Sequence, residues 1–231
     1  DDEITTLIQN SKNINNLKMS FFQSNVSKAL CNIFQNLLDL KVLDISFTEF
    51  LNDRNIRYIS NKSCPKLETL SLKNNINITD TGYDILFSQC PNIKNIDIGL
   101  LSKKDTNNIT NKTIHSLVKY CKNIESIAID NRYNLTDEVL NLISKTYQKT
   151  LKHISFNNCS EFSGNAIINL AKSCSKIESL LLNGCEKIRN YDIIQIGRFN
   201  SNIKKLDIGG NNKLNNTLLK DISILFKNLE I

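Results

Sequence analysis

Residues 67–92 read LETLSLKNNINITDTGYDILFSQCPN, and this stretch decides the fold. It begins with the apolar pattern L-x-x-L-x-L, whose alternation suits a short strand. Thr79 then precedes a segment in which Tyr83 and Leu86 follow four and seven residues later, on one face of a helix. A threonine in this place is typical of a helix N-cap. The stretch therefore predicts one strand, one turn and one amphipathic helix.

The same unit recurs along the chain. The apolar pattern, with Ile, Phe or Met replacing Leu in places, starts at residues 14, 40, 67, 93, 124, 151, 177, 203 and 229. Cap-type positions precede the helical halves at Asn52, Thr79, Thr110, Thr136, Ser163, Arg189 and Asn215. Because an arginine side chain accepts no hydrogen bond, we expect the helix after Arg189 to start less regularly.

Neither half of a unit can bury its apolar face alone, so the units must stack, strand on strand and helix on helix. This stacking predicts an α/β solenoid, a right-handed α/β horseshoe with a parallel inner sheet and outer helices. We expect residues 1–231 to form a single repeat domain. The chain opens on a helix-like segment at 4–13 and closes on a strand-like one at 229–231, so we expect it to be a segment of a longer solenoid.

The fullest repeats resemble the cysteine-containing subclass of leucine-rich repeats. The matching features are Ile78-Thr79-Asp80-x-Gly82, Cys90-Pro91 at a helix end and Asn183-Gly184-Cys185 in a turn. The sequence departs from the subclass at the helix-ending residues Tyr147, Asn200 and Phe226 and at the turn residues Asn75, Leu101 and Arg132. The subclass is typical of F-box substrate receptors of ubiquitin ligases and of mitotic-exit antagonists. The resemblance implies a protein-binding adaptor whose contacts with ligase core subunits lie outside this segment.

The composition indicates a binding protein and not an enzyme. The net charge of +6 comes from scattered lysines without tryptophan or an arginine cluster, so we expect no nucleic-acid partner. Two histidines and the lack of a phosphate loop or nucleophile motif predict no catalytic, cofactor or metal site. No apolar run is long enough to span a membrane. The seven cysteines follow the repeat, which favours reduced packing residues in a cytoplasmic or nuclear protein.

The inner faces of the predicted strands form the candidate partner-binding site. The third, fifth and seventh positions of each repeat share this concave face, because side chains alternate along a strand. Their small, mildly acidic side chains favour a basic protein partner, and an ordinary solvated sheet is the alternative. The candidates are Asp44, Ser71, Asp97, Asp130, His153, Ser155, Asn157, Asn183 and Asp207.

One repeat carries about five extra residues, which lie between Gly99 and Asn108. Insertions in repeat arrays often lie on the binding face, although a tolerated surface loop is the alternative. Leu100 and Leu101 are the candidate apolar anchors, with Lys103 and Lys104 beside them.

The second position of the repeats alternates in charge. With neighbouring strands ~4.8 Å apart, this alternation places opposite charges side by side and avoids repulsion between like charges. We interpret the column as a ladder that fixes register and solubility. Its members are Lys41, Glu68, Lys94, Glu125, Lys152, Glu178, Lys204 and Glu230.

Two functions remain open from the sequence. The first is a protein–protein interaction module, the substrate-recognition or adaptor solenoid of an F-box-type ubiquitin ligase component. The second is a structural scaffold built from leucine-rich repeats, with no role in ubiquitin transfer. An F-box in the full-length protein would discriminate between them.

Overall fold

The computed structural model describes residue 6 and residues 13–20, 36–37, 39–48, 50–57, 64–102 and 108–230. The chain divides into two compact units, Asp1–Asn123 (unit 1) and Ile124–Ile231 (unit 2). Both units repeat the predicted succession of short strand, turn and helix.

The described part of unit 1 contains four short parallel strands in chain order. They are β1 (Asn16–Lys18), β2 (Val42–Asp44), β3 (Thr69–Ser71) and β4 (Asn95–Asp97). The helices of its described part are α1 (Asp53–Arg57), α2 (Asp80–Gln89) and α3 (Asn111–Tyr120), and a 3-10 turn spans Cys64–Lys66. The fourth residues of successive repeats pair in register, as Leu43 does with Leu70 and Leu70 with Ile96.

Unit 2 repeats this arrangement with four more parallel strands. They are β5 (Ser126–Ala128), β6 (His153–Ser155), β7 (Ser179–Leu181) and β8 (Lys205–Asp207). The helices are α4 (Asp137–Thr146), α5 (Gly164–Ser173), α6 (Asn190–Phe199) and α7 (Leu218–Leu225). Ile154 pairs with Ile127 on one side and with Leu180 on the other.

The core consists of the apolar positions that the spacing predicts. The fourth residues of the repeats are at most 2% exposed from Leu43 to Leu180. The inward helix residues, such as Ile114 and Ile193, are fully buried in α2 to α6. In α7 the equivalent Leu219 is 64% exposed, so that part of the prediction is wrong for the last described helix.

The helices start where the cap residues predict, with one exception. Thr79, Thr110 and Ser163 each accept an N–H of the first turn. α6 also begins directly after its cap residue, because Asp192 Oδ2 accepts the Arg189 N–H at 2.8 Å. In this helix a side chain of the first turn bonds to the backbone of the cap residue, and not the reverse.

α7 is the exception, since it begins at Leu218 and not directly after Asn215. Asn215 Oδ1 accepts the N–H of Thr217 at 3.1 Å and its hydroxyl at 2.6 Å. The Leu218 N–H donates to the Asn215 carbonyl group at 3.1 Å, three residues back, so the turn before α7 is tightened to the 3-10 type.

The helix starts of neighbouring repeats are also bonded to each other. Asp53 accepts the N–H of Thr79 at 2.9 Å and its hydroxyl at 2.6 Å. Asp137 accepts the same two groups of Ser163 at 2.8 Å and 2.6 Å. Gly82 makes room for this contact, because a Cβ there would overlap the Asp53 carboxylate. The Asp that follows a cap therefore links its repeat to the next one.

In most of the described repeats, the eighth residue adopts a left-handed conformation. The eighth residues of six repeats have φ between 57° and 67°. Asparagine and glycine tolerate this region, and they fill it at every place except Phe47. The members are Phe47, Asn74, Asn131, Asn158, Gly184 and Gly210.

At the turn that follows, asparagine and cysteine side chains both contact a backbone carbonyl group of the preceding repeat. Cys185 Sγ lies 3.1 Å from the carbonyl oxygen of Phe156, and Asn75 Nδ2 donates to that of Ile45 at 2.9 Å. At the helix ends, Cys121 Sγ lies 3.4 Å from Cys90 O, and Asn200 Nδ2 donates to Cys174 O at 3.0 Å. Asn75 and Asn200 depart from the sequence pattern and yet keep its hydrogen bond to the preceding repeat.

Candidate functional site on the strand faces

The strand face of each unit is the surface formed by side chains at the third, fifth and seventh positions of its repeats. In β2 to β7 the residue between the third and fifth positions is buried, and those two positions are wholly or partly exposed. The predicted candidates therefore lie on the side of each sheet away from the core. His153 is exposed, and the other eight predicted side chains are half-buried.

In unit 2, five of the predicted residues form one hydrogen-bonded row. Asp130 Oδ1 accepts Ser155 Oγ–H at 2.6 Å and the Asn157 N–H at 2.8 Å. Asn157 Oδ1 accepts the Asn183 N–H at 2.9 Å. Asn183 Nδ2 lies 3.5 Å from Asp207 Oδ1, at the outer limit of a hydrogen bond. The row holds these polar side chains in place before any partner arrives.

The row also has a structural role that the sequence did not reveal. The unit 2 strands end at the fifth position, and seventh-position side chains then accept the seventh N–H of the next repeat. These bonds satisfy backbone N–H groups that lie beyond the paired strands and have no partner in the sheet. Asp130 is therefore both a support of the turn and a carboxylate on the strand face.

In unit 1 the fifth-position carboxylates fold back onto their own chain. Asp44 Oδ1 accepts the Ser46 N–H at 3.0 Å and its hydroxyl at 2.6 Å. Ser46 Oγ in turn lies 2.7 Å from Ser71 Oγ in the next repeat. Asp97 Oδ1 accepts the Gly99 N–H at 2.9 Å. Asp44 and Ser71 are thus joined through Ser46.

Lysines on the same faces offset part of the negative charge that the sequence predicts. Lys18 stands opposite Asp44 in the register of β1 and β2, and Lys73 occupies a seventh position. The strand face of unit 1 is therefore close to neutral. In unit 2, Lys205 lies at the start of β8, and Asp130 and Asp207 lie toward the strand ends. The acidic surface is concentrated at the carboxyl ends of the unit 2 strands.

The inserted segment places its two leucines differently. Leu100 is 1% exposed and belongs to the core, whereas Leu101 is 63% exposed. The Leu101 N–H donates to Asn74 Oδ1 at 2.9 Å, which anchors this end of the insertion. Lys103 and Lys104 lie outside the described residues.

In the second-position ladder, a lysine forms its ion pair with the glutamate of the preceding repeat. Lys94 contacts Glu68 at 2.9 Å, Lys152 contacts Glu125 at 2.7 Å, and Lys204 contacts Glu178 at 2.7 Å. A hydrogen bond from Lys204 lowers the pKa of Glu178, and one to Glu125 raises the pKa of Lys152. All these side chains are well exposed, so each pair adds little stability.

The described thiols are packing groups. Cys90, Cys121, Cys159, Cys174 and Cys185 are buried, and none of the five forms a disulfide. Burial raises the pKa of the Cys121 and Cys174 thiols to about 12, and burial also raises the pKa of the Cys159 thiol. Within the described residues, no group of His, Cys, Asp or Glu side chains is arranged to hold a metal ion. None of the described helices has the length and apolar character needed to cross a membrane.

Neither a protein-family profile nor a curated protein sequence matches the chain. Solved structures do match it. The leucine-rich-repeat protein LegL7 of Legionella pneumophila has a TM-score of 0.64 at 14% identity, with 98% of this chain and 76% of that one covered. An internalin of Listeria monocytogenes, InlF, has a TM-score of 0.58 at 16% identity, with 95% and 68% covered. The chain folds as a leucine-rich-repeat solenoid.

A third structure, the complex of Rad7 and Elc1 in yeast, matches this leucine-rich-repeat solenoid with a TM-score of 0.79 at 19% identity. The match covers 94% of the present chain and 55% of the other. The solenoid thus spans little more than half the length of that relative. At these identities the likeness concerns the fold.

Proposed function

We propose that this solenoid is a protein-interaction module that captures a basic segment of a partner protein on its strand face. The observation that carries the proposal is the unit 2 row from Asp130 to Asp207, whose polar side chains are already fixed by hydrogen bonds. A surface that is ordered beforehand loses less entropy on binding than a mobile one.

The carboxylates of this row determine the chemistry of the partner. Asp130 and Asp207 lie at the strand ends, and the neighbouring Asn157 and Asn183 supply amide groups without charge. Lysine or arginine side chains of a partner would approach this end, and the field of the two carboxylates would speed their association. In unit 1, Leu101 offers an exposed apolar contact beside the strand face.

The narrower role that we propose is substrate recognition or adaptation in an F-box-type ubiquitin ligase component. It is supported by the repeat subclass that the sequence resembles and by the fold shared with the Rad7–Elc1 structure, in which two different proteins are assembled. Contacts with ligase core subunits would lie outside the present segment.

The strand-face proposal is tested by neutralising two carboxylates. Asp130→Asn with Asp207→Asn keeps an oxygen acceptor for the backbone N–H groups of Asn157 and Gly209 and removes both charges. We expect the affinity for a labelled lysine- and arginine-rich peptide to fall about tenfold, mainly through slower association. The control is Glu161→Gln with Asp221→Asn, which removes the same charge elsewhere in unit 2. Equal losses in both variants would refute the strand face as the site.

The adaptor role has a separate test. The full-length protein is co-purified with ligase core subunits, and its ubiquitin transfer to the captured partner is measured. Co-purification and transfer support the adaptor. A full-length protein that binds its partner and no core subunit is a scaffold, and the ubiquitin role is then rejected.

A further inference from the structure

The entry edge of unit 2 is the rim at which its helices end and its strands begin, formed by residues 145–153, 172–178, 198–205 and 224–230. Nine cationic side chains lie on this rim, against three carboxylates if Glu125 at the start of β5 is included. The opposite rim carries Asp130, Asp137, Glu138, Glu161, Glu186, Asp192, Asp207 and Asp221 against five cations. The charges of unit 2 are therefore separated along the strand direction.

Most of the entry-edge cations have no anionic partner. Glu125 and Glu178 form ion pairs with Lys152 and Lys204, respectively. Within the described chain, the exposed side chains of Lys145, Lys149, Lys176, Arg198, Lys205 and Lys227 make no ion pair. One cation in a last helical turn is enough to complement the helix dipole. The cations in excess of this number produce a positive electrostatic field over the rim.

A recess in this rim offers a place for a carboxylate. Its volume is about 350 Å³, and its walls include Lys152, Lys176 and Lys204. Glu178, Asn202 and Asn228 complete the walls, and the amides of the two asparagines donate to the carbonyl groups of Ser175 and Ser201 at 2.9 Å and 2.8 Å. The asparagine walls are thus held in place. Lys176 is the wall cation that makes no ion pair with any described residue, since Lys152 and Lys204 contact Glu125 and Glu178.

Two exposed apolar residues accompany the cations. Phe199 is 43% exposed at the end of α6, and Lys172 Nζ lies 5.3 Å from its ring centroid. Ile224 is 55% exposed in the last turn of α7, the neighbouring helix. These helix ends are packed closely, because a Cβ at Gly197 would overlap Leu225 and Phe226. The rim therefore combines positive charge with an apolar surface.

We infer that the entry edge of unit 2 binds an extended acidic segment of a protein that carries a large apolar side chain. Carboxylates of the segment meet the unpaired lysines, and its apolar side chain packs on Phe199 and Ile224. A nucleic acid fits less well, because single strands need several stacking rings, and Phe199 has one face occupied by Lys172. This surface shares only His153 and Lys205 with the strand face and is otherwise separate from the row from Asp130 to Asp207, so the inference goes beyond the proposed function.

The test uses three fluorescent probes of equal length with the full chain. The first is a peptide in which Glu alternates with Phe, the second has Ser in place of Phe, and the third is oligothymidylate. We expect the Glu/Phe peptide to bind most tightly. Lys176→Glu with Lys227→Glu should weaken its binding at least about tenfold, and the milder Lys176→Gln with Lys227→Gln should act in the same direction.

Two controls locate the effect. Lys213→Glu with Lys220→Glu changes the net charge equally on another part of unit 2 and should alter the affinity less than about twofold. Phe199→Ser should reduce the affinity for the Glu/Phe peptide to that for the Glu/Ser peptide. The strand-face variant with Asp130→Asn and Asp207→Asn should leave the acidic probes unaffected, which separates this test from that of the proposed function.

Three results would overturn the inference. The first is equal weakening by the control pair at Lys213 and Lys220, which would show attraction by net charge alone. The second is tighter binding of oligothymidylate that is lost in the Lys176 and Lys227 variants, which would assign the rim to nucleic acid. The third is no binding of either peptide by a chain whose circular dichroism shows the native fold.

Discussion

Asp80, the first residue of α2, accepts both the N–H and the hydroxyl of Thr110, the cap of α3, each at 2.8 Å. A third bond comes from Thr113 Oγ1 at 2.6 Å. One carboxylate thus ties the start of a helix to the start of the next one, as Asp53 and Asp137 do in their own repeats. Thr110 therefore caps α3 and also binds the first residue of α2.

Replacing Asp80 by Asn should lower the free energy of unfolding by about 1–2 kcal/mol, because an amide nitrogen cannot accept from Thr110 or Thr113. Partial burial alone would raise the pKa of Asp80, but the bonds from Thr110 and Thr113 outweigh it and hold the pKa below 3.8. A lowered pKa means that the stabilisation is present above 3.8 and is lost as the pH falls through the folded-state pKa.

Urea titrations between pH 2 and 7 measure this effect. The variant should lose less stability than the wild type on acidification, and Asp221→Asn serves as the control. An unchanged acid dependence in the Asp80 variant would contradict the assignment.

Gly184→Ala should destabilise the protein by about 1–2 kcal/mol, the cost of a left-handed conformation for a residue with a Cβ. Gly184 has φ of 67°, and a Cβ there would also overlap Asn158 Oδ1. Gly209→Ala is the matched control, since Gly209 has no positive φ and its Cβ meets chiefly the terminal amide of Asn183, whose contact with Asp207 is at the outer limit of a hydrogen bond. It should cost less than about 1 kcal/mol. Thermal melts of the two variants compare them, and equal losses would show that backbone conformation is not the cause.

Glu178→Lys should reduce the melting temperature at low salt, with recovery as salt is added. It places a third ammonium between Lys152 and Lys204, and the three like charges repel. Glu178→Gln removes the pair without the repulsion and should respond less to salt. A loss that salt does not reverse would mean that the second-position ladder does more than balance charge.

A thiol reagent at pH 8 should leave Cys121 and Cys174 unmodified in the native protein, because burial raises their pKa to about 12 and excludes the reagent. The other described thiols, at 90, 159 and 185, are buried as well and should behave alike. After denaturation all seven cysteines should react. Rapid native modification at any of the five, located by mass spectrometry, would disprove this burial.

The spacing of apolar residues is enough to place β2 to β7 and α2 to α6, because burial of one face imposes a period on the sequence. It misplaces the start of α7, where backbone bonds over three residues, from Leu218 to Asn215 and from Leu219 to Asn216, replace the first α-helical turn. It also treats Leu100 and Leu101 alike, although one is buried and the other exposed. Spacing alone does not distinguish these neighbours.

The bonds between repeats are harder to foresee than the core. They depend on how one repeat is offset from the next, which no single repeat encodes. A signal nevertheless exists, since Asp follows the cap residue at 53, 80 and 137. The row from Asp130 to Asp207 has no such signal, because its members follow from strand alternation but their hydrogen bonds do not.

The exchange of cysteine for asparagine at the turns and helix ends has a consequence for oxidative stress. A thiol at these places can be converted to sulfenic or sulfinic acid once local unfolding exposes it, and the larger, charged product no longer fits against the carbonyl group. An amide undergoes no such reaction. The turns and helix ends held by Asn75, Asn200 and Asn211 should therefore re-form unharmed after exposure to peroxide, whereas those held by Cys121, Cys159 and Cys185 become the places where damage accumulates.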